Sequence, residues 1–145
     1  MSPAARSSSA AALLLVALAL AGCGGGGAGG NAGSAQPIEV SLEAGNESGQ
    51  AGSATINSVK DGQVNIVVEV VSAVTEEQIQ PAHIHKGTCA EIDPAVAYEL
   101  FDVVQGIGAA TVDVEIEMLT ASPHVVDVHV SGEDDAVAAC GAITR

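Results

Sequence analysis

Beyond Pro37, apolar and polar positions alternate with a period of two, in short runs broken by turn signals about every ten residues. The first runs are Ile38–Ala44 (IEVSLEA) and Ser53–Val59 (SATINSV), followed by a turn at Lys60–Gln63 (KDGQ) with Asp-Gly at its centre. Val64–Val71 (VNIVVEVV) then puts Val64, Ile66, Val68 and Val70 on one face. Ser72–Gln80 is polar and predicts a connection with, at most, a short helical turn. Four more runs predict strands: Pro81–Gly87, Val96–Val104, Thr111–Met118 and His124–Val130. Between the second and third of these, QGIG predicts a turn. In Thr111–Met118 (TVDVEIEM), Val112, Val114, Ile116 and Met118 point inward, and Thr111, Asp113, Glu115 and Glu117 point to solvent. Val137–Thr144 closes the series. Eight strands with no sustained helical periodicity predict an all-β sandwich or barrel.

The N-terminal pattern differs. Arg6 precedes an unbroken apolar run, Ala10–Ala21, too short for a stable bilayer span and suited to the hydrophobic region of a secretory signal. It ends in LAGC, Leu20–Cys23, which resembles a bacterial lipobox. That resemblance implies a signal peptide over residues 1–22, cleavage before Cys23 and a diacylglycerol on its thiol. Residues 23–36 are Gly-rich and predict a flexible tether of about 20 Å r.m.s.. Residues 37–145 are enough for one domain with one core. The expected product is an exported protein, lipid-anchored in the cell envelope, on the outer face of the cytoplasmic membrane or on an outer membrane.

Charge narrows the partners. Losing Arg6 with the leader leaves Lys60, Lys86 and Arg145 against 18 acidic residues, a net charge of −15 with neutral histidines. Such a surface repels nucleic acid and anionic headgroups, so the lipid alone must hold the membrane. No protein partner is legible. No phosphate-binding loop and no serine-nucleophile motif occurs, and the GGGG run belongs to the tether.

The candidate chemistry lies in Pro81–Ala90, PAHIHKGTCA. With Cys23 assigned to lipid, Cys89 and Cys140 remain, and in an oxidising compartment they are the natural disulfide pair. Strand alternation puts His83 and His85 on one face, about 7 Å apart at Cα. In the late strand Val126, Val128 and Val130 make the apolar face, so His129 lies opposite, with Asp127 and Val125. If His83 and His85 also face outward, three imidazoles stand on the outer wall, a set that suits copper or zinc among first-row metals. Asp127 is a candidate to orient a ligand or to act as a weak fourth one, and His124, of opposite parity after Pro123, is a minor candidate. From the residues alone a metal site, a disulfide beside ordinary histidines, or both remain open.

AHIHKGTC (Ala82–Cys89) looks like the HVH…GxC segment of Cu/Zn superoxide dismutases, and VDVHVSGEDDAVAACGAI (Val126–Ile143) looks like their late segment. Exported bacterial proteins with a CHRD-like domain share that barrel and are more similar in size and loop length. The resemblance implies an eight-stranded Greek-key β-barrel, copper-ligand positions at His83, His85 and His129, and a Cys89–Cys140 disulfide. The departures matter as much. Only Ala90–Ala95, without a histidine, separates Cys89 from the next expected strand, so neither a bridging histidine nor a zinc site is evident. The family's arginine three residues before its last cysteine is replaced by Val137. The readings are a copper-binding envelope lipoprotein, a non-catalytic CHRD-like structural or interaction module without metal, and a reduced, copper-only superoxide dismutase.

Overall fold

The computed structural model describes residues 35–60, 62–71 and 78–145. The expected signal peptide, the Cys23 lipidation site, nearly all of the tether and most of the Ser72–Gln80 connection lie outside those residues, as does Asp61. The described chain is mostly strand, in the order β1 (Ile38–Ala44), β2 (Gly52–Ser58), β3 (Val64–Val70), β4 (Ile79–Gln80), β5 (Ala82–Thr88), β6 (Glu91–Glu99), β7 (Val103–Val104), β8 (Ile107–Val112), α1 (Ile116–Thr120), β9 (His124–Ser131) and β10 (Asp134–Ala142).

Hydrogen bonding joins them in the order β4-β7-β8-β3-β2-β1-β10-β9-β5-β6, every pair antiparallel. The result is a curled half-barrel sheet of ten strands rather than eight. Its concave side is lined as the alternation requires. Ile38, Val40 and Leu42 of β1 pack with Ile56 of β2, Ile66 and Val68 of β3, Ile84 of β5 and Val126 and Val128 of β9.

The two extra strands come from residues that also serve as connections. Ile79–Gln80, expected in a polar loop, pairs with β7. Gln80 is buried because its amide is satisfied, donating to the Gln50 side chain and the His129 carbonyl, each at 2.8 Å. The run expected as one strand over Val96–Val104 is divided: β6 stays with β5, the chain breaks at Leu100–Asp102, and β7 crosses to β4 and β8. QGIG turns as expected. Gln105 (φ 53°) and Gly106 (φ 83°) supply the two left-handed positions that a tight two-residue hairpin needs.

Thr111–Met118 is a correction. Only Thr111 and Val112 remain in β8, and Ile116–Thr120 forms a single helical turn. Val114 and Ile116 are inward as expected, but Met118 is exposed, and Leu119 fills the core instead. Ile116 and Leu119 are three apart and so share a helical face. A short run obeying a period of two thus also satisfied a helical one, and only tertiary burial decides between them.

The hairpin from β5 to β6 shapes the outer wall. Gly87 has φ 109°, and a Cβ there would lie 2.3 Å from the Glu91 carbonyl oxygen, so only glycine fits. Ala90–Ala95, expected to be a loop, lies largely in β6, which begins at Glu91. Its register slips against β5, His85 facing Val96 and Gly87 facing Ile92, which leaves Asp93, Pro94 and Ala95 bulged opposite Lys86. Pro94 is tolerated because β6 is an edge strand and bulged there. Cys89, at the tip of this hairpin, is bonded to Cys140 of β10, with Cα atoms 5.8 Å apart.

Candidate metal centre

Register fixes what stands on the convex side of β5, β9 and β10. His83 faces Asp127, Ile84 faces Val126 and His85 faces Val125. Because side chains alternate, Ile84 and Val126 enter the core, while His83, His85 and Asp127 share the outer wall. Across β9, Cys140 faces Asp127 and Val137 faces His129, with one residue of β10, Ala138, taken up in a bulge between those pairs. Bulges of this kind re-aim side chains. Here they flank the histidines on both sides, on β6 and on β10.

The structure brings together His83, His85, Asp127 and His129. One ligand atom from each lies within 4.8 Å of all the others, so the group can hold a metal ion. The cluster floors a hollow of about 430 Å³ whose walls include Ile92, Pro94 and Val96 of β6 and Val137 of β10.

Hydrogen bonds to acceptors define which nitrogen of each ring faces inward. His85 Nδ1 lies 2.8 Å from the Asp93 carbonyl, and His129 Nδ1 lies 2.7 Å from the Asp135 carbonyl. A carbonyl only accepts, so both Nδ1 atoms carry hydrogen, and in the neutral imidazole each Nε2 then presents a lone pair. His83 is turned the other way: its Nε2 is 3.2 Å from Glu99 Oε2, leaving Nδ1 inward. His83 Nδ1 and His129 Nε2 then stand 3.1 Å apart, within hydrogen-bond distance, with the donor set by the tautomer. Asp127 completes the set, with Oδ1 3.7 Å from His85 Nε2 and Oδ2 3.5 Å from His129 Nε2.

With neutral rings, the Asp127 carboxylate and the Nε2 atoms of His85 and His129 are acceptors aimed at one another. His85 Nε2 and Asp127 Oδ1 are buried without a hydrogen-bond partner. An orphaned buried polar atom costs about 1–3 kcal/mol, more for a charged group. Desolvation pushes the Asp127 carboxyl above the usual carboxylate range, outweighing the opposing pull of His85, His129, His83 and the His83 backbone hydrogen bond. A cation relieves all of these conflicts at once, and three imidazoles with a carboxylate are a donor set that a divalent first-row ion accepts. The carbonyls of Asp93 and Asp135 and the Glu99 carboxylate would hold the rings in their ligating orientation.

His124 lies apart from this group. It is buried, and its Nδ1 hydrogen is shared between the Ser122 carbonyl at 2.9 Å and the Leu119 carbonyl at 3.2 Å. Sequence reasoning did not find the orienting groups. Two of the three are backbone carbonyls in bulged or turning chain, which no residue type announces. Glu99 had a signal, since it lies opposite His83 in the β5–β6 pairing.

No family model, curated protein or solved structure matches this chain.

Proposed function

We propose that this chain is a copper-binding lipoprotein of the cell envelope, holding one copper ion through His83, His85 and His129 on the outer wall of a superoxide dismutase-like barrel. The observation that carries this reading is the convergence of three imidazole nitrogens and a buried carboxylate, with His85 Nε2 and Asp127 Oδ1 left unpartnered. Imidazole nitrogen suits copper, and the resemblance of the two histidine segments to copper-ligand segments favours copper over zinc. The Leu20–Cys23 lipobox resemblance supports membrane anchoring through Cys23. The role would be copper buffering, delivery or slow one-electron chemistry.

Efficient dismutation of superoxide fits poorly. Val137 lines the hollow where the family's arginine would guide the anion, and a net charge near −15 opposes its approach. A second reading, a CHRD-like interaction module, is favoured by one surface feature. Ile79, Val104 and Ile107 follow one another across β4, β7 and β8 as register partners, and they are 53, 46 and 58% exposed. A contiguous apolar row on a strongly acidic domain is suited to docking.

Isothermal titration of the purified protein with Cu(II), beside a His83→Ala/His85→Ala variant, separates the two. One tight site per chain, lost in the variant, is expected. Weak binding that the substitutions leave unchanged would exclude the copper reading and favour the interaction module.

A further inference from the structure

Among the described residues no lysine or arginine pairs with the Asp127 carboxylate. It is 1% exposed, its Oδ1 has no hydrogen-bond partner, and its neighbours on the wall are imidazoles. Resting on the copper reading above, we propose that Asp127 is the anionic fourth donor of the centre, and that it biases the centre towards Cu(II) over Cu(I).

Charge and donor hardness set the preference. Neutral imidazoles ligate both oxidation states and bring no charge. A carboxylate oxygen is a hard donor, which favours the higher charge. With the carboxylate buried, its attraction for the second positive charge is screened far less than in water. The soft donors that favour Cu(I) are missing from the wall. Cys89 and Cys140 are consumed in the disulfide, and Met118 projects to solvent from α1. The carboxylate is also held in place. Asp127 is opposite His83 on β5 and opposite Cys140 on β10, so it is fixed by strand pairing on both sides, next to the disulfide.

The test compares wild type, Asp127→Asn and Glu133→Gln. Asp127→Asn keeps the side-chain shape and loses the charge, whereas Glu133→Gln removes one acidic group from the β9–β10 turn without touching a donor. Cu(II) affinity is measured by competition with a chelator, Cu(I) affinity by competition with bathocuproine, and the metal-free melting temperature confirms folding. Asp127→Asn is expected to lose about tenfold or more in Cu(II) affinity, the range for altering groups around a metal. Cu(I) affinity should change much less. A tenfold difference between the states corresponds to a rise in reduction potential of about 59 mV. Glu133→Gln should leave the ratio of the two affinities unchanged. Equal losses for both states, no loss, or the same shift in Glu133→Gln would overturn the assignment while leaving the copper reading intact. Failure of the wild type to bind either state would overturn both.

Discussion

The two faces of β5 and β9 are built from alternate residues of the same strands and obey opposite rules. Inward, Ala82, Ile84, Val126 and Val128 are fully buried and entirely apolar, members of one continuous core. Outward, His85 and Asp127 are nearly as buried, yet they are polar and incompletely satisfied. The first face is complete as folded, since its energy comes from removing apolar surface from water. The second keeps buried polar atoms without a partner, which a cation would supply. Burial alone therefore does not distinguish scaffold from site. Partner satisfaction does, and His124 makes the same point on the same strand: it is as buried as His85, but two backbone carbonyls face its Nδ1 hydrogen and it has no part in the cluster.

Truncating the two faces should separate them most widely. Ile84→Ala is expected to lower the unfolding free energy by about 2–5 kcal/mol, as for other buried aliphatic truncations. His83→Ala, one residue away and partly exposed, should lower it by only about 1 kcal/mol in metal-free protein. Denaturant titration with the metal removed checks both, and equal losses would mean that the outer wall is core after all.

The disulfide is the staple of the outer wall, joining cysteines 51 positions apart in sequence. Replacing Cys89 by Ser together with Cys140 by Ala should cost about 4 kcal/mol in the chain-entropy model. Copper affinity should fall as well, because Cys140 flanks Asp127. Calorimetry and Cu(II) titration of that variant give both numbers.

Asp127→Asn should act in the opposite direction on the metal-free protein. It removes a buried charge, and the new amide can donate to His85 Nε2, so the protein should gain about 1–3 kcal/mol of stability. A loss of stability would mean that the carboxylate is better satisfied than the geometry indicates.

The smallest effect is its pH dependence. The folded state binds the Asp127 proton more tightly than the unfolded chain does, because burial raises the folded value. This group's contribution to stability therefore rises as pH falls from the raised folded value towards the ordinary carboxylate value near ~3.9. The advantage of Asp127→Asn over wild type should shrink across that window, as read by parallel melting curves. An advantage that grows on acidification would reverse the sign of the argument.

Much of the core was legible because alternation is a strong signal where one face is buried. β1, β3 and β9 fall within a residue of the runs that announce them. Parity paired His83 with His85 and Asp127 with His129, and the β5–β9 register puts the two pairs on one face. What was not legible depends on pairing between distant residues. α1 replaces an alternating run because Leu119, just beyond it, competes for the core with Met118. β6 begins early because an edge strand can bulge around Pro94, and that bulge delivers the Asp93 carbonyl to His85. A residue type announces a donor atom, but it does not announce which carbonyl will hold its ring.

The most direct measurement is pulsed electron paramagnetic resonance on the Cu(II)-loaded protein, counting the imidazoles coordinated to copper. Three are expected in wild type, falling to two in each of His83→Ala, His85→Ala and His129→Ala, and remaining three in His124→Ala. A spectrum without coordinated imidazole, or one unchanged by those three substitutions, would contradict the assignment of the outer wall as a copper centre.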